Sequence, residues 1–327
     1  MKYRKLGRTG LTVSEIGFGG WGIGGRTVSQ TSYGDTDDRQ SLAALKRAQA
    51  CGITFFDTSA VYGNGHSESL MGEAFKTVRS KVVLATKAGY ESWEQPPDFS
   101  AHAIVASAER SLKRLQSDYV DVLFLHNAPL ESLEAPDMRE ALSRLVSSGK
   151  IRAWGLSAKG PGDALQALQS CDVPVLQANF NMMDVRAFSS GLFDEVKRRN
   201  AGFVARTPLC FGFLSGAITR TTTFPPGDHR LGWSEAQLGA WIDGARDLLV
   251  AVSASPGLAG AQAALRFCLA FAEVSCTIPG ILSASEAEQN AAVSALGPLG
   301  PDAVEAVLEI NRQRQFFVAP AKPAAAS

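Results

Sequence analysis

Short runs of β-branched and aromatic residues alternate with longer amphipathic segments along nearly the whole chain, and this alternation restricts the fold more than any other feature. The runs predict eight buried strands, at residues 15–19, 53–56, 81–86, 120–125, 151–156, 173–176, 202–205 and 274–278. The amphipathic segments predict helices at residues 37–51, 67–78, 101–115, 134–148, 162–169, 188–200, 234–272 and 285–295. Short buried strands that alternate with helices favour a parallel sheet, and eight such units close into a barrel. We therefore predict an α/β fold, a (β/α)8 TIM barrel.

Segments outside these units complete the predicted architecture. An N-terminal β-hairpin is expected from strands at residues 3–6 and 11–14, which are joined by a glycine-containing turn. A loop with Pro and Trp follows strand three at 91–99, and a long loop rich in Thr, Gly and Pro follows strand seven at 214–233. Loops of that length in a compact domain are often functional. The last predicted helix is the C-terminal helix of the barrel.

The chain length is compatible with one domain. Its 327 residues fit a single barrel of ~250 residues or more, and 45% of them are hydrophobic. We predict one barrel domain over residues 1–315, followed by a flexible Ala/Pro-rich tail over residues 316–327.

Composition excludes several classes of function. Lys plus Arg equals Asp plus Glu at 32 each, so no net field attracts nucleic acid. Neither a secretory apolar run nor a stretch of ~18 apolar residues for a membrane span is present. The five cysteines have no CxxC spacing and read as reduced residues. His66, His102 and His229 do not have the spacing of metal ligands, so we expect no metal site. The missing secretory and membrane segments lead us to expect a cytoplasmic protein without a membrane partner.

Polar residues stand where the predicted strands end. Strands two, three and four run into Asp57, Lys87 and His126, and the following strands run into Ser157, Gln177 and Arg206. Taken singly, such residues are usually a cap, a solvated lysine or a half-buried histidine. The carboxyl ends of barrel strands nevertheless meet at one rim, where TIM-barrel enzymes build their active sites. We therefore expect the Asp, Lys and His to converge there, close to Tyr62.

The segments around these residues resemble those of the aldo-keto reductase family. FFDTSAVYGNGHSESLMGEAF resembles the family signature that holds Asp57 and Tyr62, VVLATKAG the lysine segment, and LQSDYVDVLFLHNAP the histidine segment. GKIRAWGLSAK, LQANFNMMD, ARTPLCFGFLSG and TIPGILSASEAEQN resemble its cofactor segments. The resemblance covers residues 2–312. It implies an NAD(P)-dependent oxidoreductase that moves a hydride between nicotinamide and an aldehyde, ketone or aldose.

The resemblance also implies roles for individual residues. The catalytic tetrad would be Asp57, Tyr62, Lys87 and His126. The cofactor-binding residues would be Gly20, Trp21, Asp57, Ser157, Gln177, Arg206, Thr207, Pro208, Leu209, Gly280, Leu282, Glu286, Gln289 and Asn290. The substrate would contact Trp21, Tyr62, Trp93 and His126.

The chemistry of the tetrad follows from the need to supply a proton to the substrate oxygen. Carbonyl reduction places hydride on carbon and requires a proton for the developing alkoxide. A tyrosine hydroxyl, with a reference pKa near ~10, gives up that proton more readily beside an ammonium. Tyr62 would therefore be the acid in reduction and the base in oxidation, with Lys87 beside it and Asp57 holding the lysine. His126 would hydrogen-bond the substrate oxygen.

One motif points to a different fold. The segment GFGGWG at residues 17–22 matches the G-x-G-x-x-G dinucleotide fingerprint. That motif requires an immediate helix, whereas more glycines and a polar stretch follow here up to residue 37. We interpret Gly20 and Trp21 as rim residues instead.

Three positions depart from the family pattern. The usual Ser-Asn pair is Ser157-Ala158, and the aromatic residue that often stacks on nicotinamide is Arg206. The loop after strand eight lacks the basic residues that would bind the 2′-phosphate of NADP(H), and it contains Glu286 instead. The sequence therefore predicts NAD(H) over NADP(H). Glu286 reads equally well as part of a helix capping box with Ser283.

A second class of function stays open at this stage. The alternative is a nicotinamide-binding regulatory or structural protein on the same barrel, resembling potassium-channel β-subunits. The complete tetrad favours an enzyme, because a purely regulatory protein has no physical need for all four residues. The physiological substrate, the choice between monomer and homo-oligomer, and the direction of the reaction are undetermined, and sugar oxidation is one option.

Overall fold

A computed structural model describes residues 1–29 and 31–318. Eight parallel strands in continuous order form the predicted barrel, which is thereby confirmed. They are β3 (Phe18–Gly19), β4 (Phe55–Asp57), β5 (Val83–Ala88), β6 (Val120–His126), β7 (Ile151–Ser157), β8 (Val175–Asn179), β9 (Gly202–Arg206) and β10 (Cys276–Ile278). The first and last strands close the ring through bonds from Gly17 N to Thr277 O and from Gly19 N to Pro279 O, both 2.8 Å.

Helices surround the barrel. They are α1 (Asp38–Ala50), α2 (His66–Phe75), α3 (Ala101–Arg114), α4 (Leu130–Glu134), α5 (Pro136–Ser147), α6 (Pro161–Cys171), α7 (Arg186–Ser189), α8 (Leu192–Arg199), α9 (Glu235–Ala251), α10 (Leu258–Leu269), α11 (Ala284–Leu296) and α12 (Pro301–Gln313). The short α4 and the final α12 were not predicted.

Two predicted helices are each divided in the structure. The helix expected at 188–200 is split into α7 and α8 at Gly191, whose φ is 80°. The long helical region expected at 234–272 consists of two helices, α9 and α10, separated by a break that contains Ser253 (φ 53°) and Gly257 (φ 91°). Backbone in the left-handed region cannot continue an α-helix, and glycine adopts it at low cost.

The barrel interior is filled by alternate side chains of the strands. On β6, Val122 and Phe124 belong to an inner cluster, whereas Leu123 and Leu125 pack outward against the helices. The N-terminal hairpin, β1 (Tyr3–Lys5) and β2 (Thr12–Ser14), adds Leu6 to that inner cluster together with Leu11 and Val13. It therefore closes the N-terminal end of the barrel and leaves the C-terminal rim for polar side chains.

Two loops meet over that rim. The long loop after β9 reaches the segment between β3 and α1, where His229 N donates to Ser32 O at 2.8 Å. A guanidinium nitrogen of Arg26 donates to Pro226 O, also at 2.8 Å. The loop after the seventh barrel strand is thus tied to the loop after the first.

The C-terminal residues that the structure describes pack on the barrel. Phe316 is 3% exposed, and its carbonyl accepts a bond from Gln237 Nε2 on α9 at 2.8 Å. The first residues of the predicted tail are therefore part of the packed structure, and residues 319–327 lie outside the described residues. Within residues 1–29 and 31–318, none of the helices has the length and apolar character that crossing a membrane requires.

Candidate active site

The period-two pattern of the strands brings three predicted catalytic side chains together. On β4, Asp57 lies two residues after the inward-facing Phe55, and on β6, His126 lies two residues after the inward-facing Phe124. Lys87 lies at the equivalent inward-facing position near the C-terminal end of β5. All three therefore face the barrel axis at its C-terminal end.

Lys87 lies at the centre of this group and is fully buried. Its Nζ donates to Asp57 Oδ1 at 2.5 Å, to Thr58 O at 2.8 Å and to Tyr62 Oη at 3.1 Å. These bonds use all three ammonium protons. The phenol oxygen of Tyr62 is thereby held beside a fixed positive charge.

The charge on Lys87 is maintained by its partners. Burial disfavours the ammonium, but the charges of Asp57 and Tyr62 and their hydrogen bonds outweigh burial and raise the pKa of Lys87 above its ordinary value. The side chain therefore stays protonated at neutral pH.

His126 is a neutral polar group in the same pocket. Burial, followed by the positive charges of Lys87 and Arg206, lowers the pKa of His126 well below its ordinary value. Its Nδ1 shares a hydrogen bond of 3.3 Å with Ser59 Oγ, and the rings of Tyr62, Tyr90 and Trp93 surround the imidazole; the Tyr62 centroid is 6.3 Å away. A neutral imidazole in this position can donate its one N–H to a substrate oxygen, and this N–H is too weakly acidic to be transferred.

A polar chain continues from Asp57 along the rim. Its Oδ2 accepts from Gln177 Nε2 at 2.7 Å, and Gln177 Oε1 accepts from Ser157 Oγ at 2.9 Å. Arg206 in turn donates to Ser157 Oγ at 3.4 Å. The ends of β4, β7, β8 and β9 are thus connected to the lysine by hydrogen bonds.

Arg206 is held rigidly at this rim. Besides its bond to Ser157, the guanidinium donates to Ala158 O at 2.8 Å and to Asn179 Oδ1 at 2.9 Å. In the described part of the chain, no carboxylate lies within 4 Å of it. Burial lowers the pKa of Arg206 from its ordinary value, which is so high that the group remains charged at neutral pH.

A cleft of about 920 Å³ opens above these residues. It is lined by fifteen of the predicted site residues: Trp21, Asp57, Tyr62, Trp93, His126, Gln177, Arg206, Thr207, Pro208, Leu209, Gly280, Leu282, Glu286, Gln289 and Asn290. Three predicted residues lie behind its surface, where they support residues that line it: Gly20, Lys87 and Ser157.

Comparisons with known proteins agree with this geometry. Residues 15–312 match the aldo/keto reductase family model. The chain belongs to the aldo/keto reductase family. It is 32% identical to L-galactose dehydrogenase of Arabidopsis thaliana over 325 residues, which cover 94% of this chain and 95% of the relative. It is 28% identical to a probable voltage-gated potassium channel subunit beta of the same plant, over 96% of this chain and 98% of that one.

A solved structure shows the same fold. The holo form of an aldo-keto reductase from Bacillus halodurans superimposes with a TM-score of 0.76 at 25% identity, covering 95% of this chain and 96% of that chain. The family and its dehydrogenase and reductase members confirm the predicted enzyme class, an NAD(P)-dependent oxidoreductase. The channel subunit relative has the lower identity of the two.

The cleft suits a nicotinamide dinucleotide in its size and in one feature of its lining. Its volume is at the upper end of the range for small-molecule sites. The N-terminus of α11, capped by Ser283, opens on the cleft, and helix N-termini favour anions such as phosphates. Three buried polar atoms of its lining have no hydrogen-bond partner among the described residues: Trp93 Nε1, Asn127 Oδ1 and His229 Nε2.

Glu286 has a structural role that the sequence indicated. Its Oε2 accepts from Leu282 N at 2.6 Å, while its own N–H donates to Ser283 Oγ at 3.2 Å. The two bonds form a reciprocal cap at the start of α11. Because Glu286 also lines the cleft, capping does not remove it from the cofactor region.

Sequence reasoning missed several residues of the cleft lining. Among them are Tyr33 and His229, which come from distant loops and pack with ring centroids 5.0 Å apart. No local pattern marks either residue. Asn127 and Asn179 could have been found, because one directly follows His126 and the other shares the inward face of β8 with Gln177.

Proposed function

We propose that Tyr62 is the general acid–base of this oxidoreductase, acting on a small carbonyl or alcohol substrate. The observation that supports this most strongly is the lysine that joins Asp57 to the tyrosine hydroxyl, at 2.5 Å and 3.1 Å. Tyr62 and His126 both line the cleft, whereas Lys87 lies behind them. A substrate oxygen between the two rings would therefore meet one proton carrier and one neutral hydrogen-bond partner.

The residues divide the work of the reaction. A bound nicotinamide supplies or accepts the hydride. Tyr62 gives its proton to the substrate oxygen in reduction and accepts it in oxidation. Lys87 stabilises the phenolate that remains, and Asp57, held by Gln177, keeps the ammonium charged and in place. His126 orients the substrate oxygen.

The cofactor would occupy the part of the cleft away from Trp93. Gln177 and Arg206 would lie at its reactive end, and Trp21 would form one wall. The remaining predicted contacts would come from residues after β9 and at the start of α11, namely Thr207, Pro208, Leu209, Gly280, Leu282, Glu286, Gln289 and Asn290.

The test of this function is a direct assay. Purified protein is incubated with each nicotinamide cofactor and a panel of aldoses, aldehydes and ketones, and absorbance at the reduced-nicotinamide band is followed in both directions. We expect turnover with at least one substrate. Cofactor binding without turnover on any member of the panel would contradict the proposed catalysis.

We propose that NAD(H) is preferred over NADP(H). A 2′-phosphate normally needs Arg or Lys partners, and the chain has no basic residue between Arg266 and Arg312. Of the arginines that line the cleft, Arg206 is held at the tetrad and Arg230 is bound to Asp228 at 2.6 Å. Both are therefore already engaged by protein groups.

Replacing Glu286 by arginine is expected to move the preference towards NADP(H). The substitution removes a negative charge from the cleft and adds a cation, so the ratio of kcat/KM for NADP(H) to that for NAD(H) should rise at least ~10-fold, about 1.4 kcal/mol. Glu288→Arg makes the same charge change on α11 at a residue that pairs with Arg47 instead, and it serves as the control. A wild-type enzyme that prefers NADP(H) tenfold would overturn the proposed preference.

We propose a hydroxylated carbonyl compound, such as an aldose, as the substrate class. Unpaired buried polar atoms cost free energy until a ligand satisfies them. Trp93, Asn127 and His229 line the cleft, and each carries one such atom just beneath its surface, which a substrate hydroxyl would reach after a small side-chain shift. Trp21 adds an aromatic wall that can stack on the C–H face of a sugar. The relative named L-galactose dehydrogenase supports the same class.

Trp93→Phe tests this substrate class. The change keeps an aromatic ring beside His126 and removes the unpaired Nε1 donor. We expect kcat/KM for the preferred aldose to fall ~10-fold, in line with a lost hydrogen bond of about 1 kcal/mol or more. An aldehyde without hydroxyl groups should be reduced at the wild-type rate. An equal loss on both substrates would mean that the ring and not the donor matters.

A further inference from the structure

We propose that Arg206 makes this site bind reduced nicotinamide more tightly than oxidised nicotinamide, so that the cofactor becomes a stronger oxidant when bound. This inference rests on the proposed function, because it places the reactive ring beside Tyr62 and Arg206. It adds a role for a buried charge that the proton chemistry does not use.

The charges at the reactive end of the cleft are unbalanced. Lys87 is positive and Asp57 is negative, and they form a direct ion pair at 2.5 Å. His126 is neutral because its pKa is lowered by burial. Arg206 therefore carries a positive charge that forms no ion pair within 4 Å among the described residues, and Asp57 and Asp184 act on it only from longer distances. The carboxylate of Glu286 lines the same cleft but caps α11 through Leu282.

The guanidinium cannot turn away from the cleft. Its three nitrogens, Nε, Nη1 and Nη2, donate hydrogen bonds to Asn179 Oδ1, Ser157 Oγ and Ala158 O, in that order. Each of these partners is a neutral oxygen, so the bonds orient the charge without cancelling it. The side chain is only partly exposed, at the cleft surface. Salt therefore screens its field poorly.

This charge distinguishes the two redox states of the cofactor. The oxidised nicotinamide ring carries one positive charge, and the reduced ring is neutral. Oxidation of an alcohol removes a hydride and a proton; the hydride neutralises the ring, and the proton goes to the phenolate form of Tyr62. A fixed cation near the ring repels the oxidised form and attracts the π-face of the reduced form. At a given protonation state of Tyr62, the reduced cofactor is therefore bound more tightly than the oxidised cofactor.

The experiment measures the dissociation constants of both redox forms on the same protein. Reduced cofactor is titrated by its fluorescence, and oxidised cofactor by competition. The wild-type enzyme is compared with Arg206→Met, which removes the charge, Arg206→Gln, a second neutral variant that keeps a donor for Ala158 O, and Arg206→Lys, which keeps the charge. Arg246→Leu, which removes an exposed arginine on α9, is the control.

We expect the ratio of the oxidised to the reduced dissociation constant to exceed one in the wild type. It should fall ~10-fold in the Met and Gln variants, equivalent to about 30 mV for a two-electron couple. The Lys variant and the Arg246→Leu control should stay within threefold of the wild-type ratio. A general loss of packing would weaken both forms equally and leave the ratio unchanged.

Other outcomes separate the two proposals. A wild-type ratio at or below one, or neutral variants with the wild-type ratio, would overturn the role of Arg206 and leave the catalytic role of Tyr62 intact. A protein that binds neither redox form of either cofactor would contradict the proposed function itself, and this inference with it.

Discussion

Replacing Tyr62 by phenylalanine is expected to lower kcat by ~10²–10⁴-fold, the range that general acid–base groups contribute. The change keeps the ring that packs against His126 and removes only the hydroxyl that Lys87 contacts at 3.1 Å. The dissociation constant of the cofactor should stay at the wild-type value, because no proton is transferred when it binds. Steady-state kinetics and a fluorescence titration give the two numbers.

A matched control is available on the same barrel. Tyr119 directly precedes β6, at the opposite end of the barrel from the cleft, with the Arg79 guanidinium 3.9 Å from its ring centre. Tyr119→Phe removes a hydroxyl of the same kind and should leave kcat unchanged. If Tyr62→Phe retains turnover within threefold of wild type, another group carries the proton.

Lys87→Met is the second substitution with a large expected effect. Without the ammonium, the phenolate of Tyr62 loses its stabilising charge, so kcat should fall and the basic limb of the pH–rate profile should move to higher pH. The buried Asp57 also loses its cationic partner. Breaking one side of a buried ion pair typically costs ~3–5 kcal/mol, so chemical denaturation should show a less stable protein.

A double variant separates catalysis from stability. Asp57→Asn together with Lys87→Met removes both charges, and it should recover much of the lost stability without recovering turnover. Full activity of Lys87→Met with an unchanged pH profile would show that its charge does not act on Tyr62. Recovery of activity in the double variant would mean that the lysine acts only through the fold.

The sequence carried most of the information about the barrel and its tetrad. Alternation of short apolar runs with amphipathic segments is a local signal, and every predicted barrel strand overlaps an observed strand. The same period of two explains why Asp57, Lys87 and His126 face inward, since each follows inner core residues on its own strand. Strand order in a parallel barrel then brings these strand ends together.

The points at which helices begin and end were harder to predict from the sequence than the strands. Gly191 and Gly257 end or divide helices because their backbones lie at positive φ, but an isolated glycine in an amphipathic segment is also tolerated within a helix. The final helix α12 follows a loop that contains Gly300 and carries few buried residues. Its local pattern is nevertheless amphipathic, with Val307 and Leu308 buried, so this helix could have been predicted from the sequence.

Only the tertiary structure decided how the rim is completed. Gln177 reaches Asp57 across 120 positions of sequence, and His229 meets Ser32 from 197 positions away. Such contacts depend on which strand ends and loops become neighbours, and no local pattern encodes that. The orientation of Arg206 is decided in the same way, because its three acceptors come from the ends of two other strands. The amino-acid sequence thus determined which side chains reach the C-terminal rim, while packing between distant segments determined which of them touch and where an unbalanced charge remains.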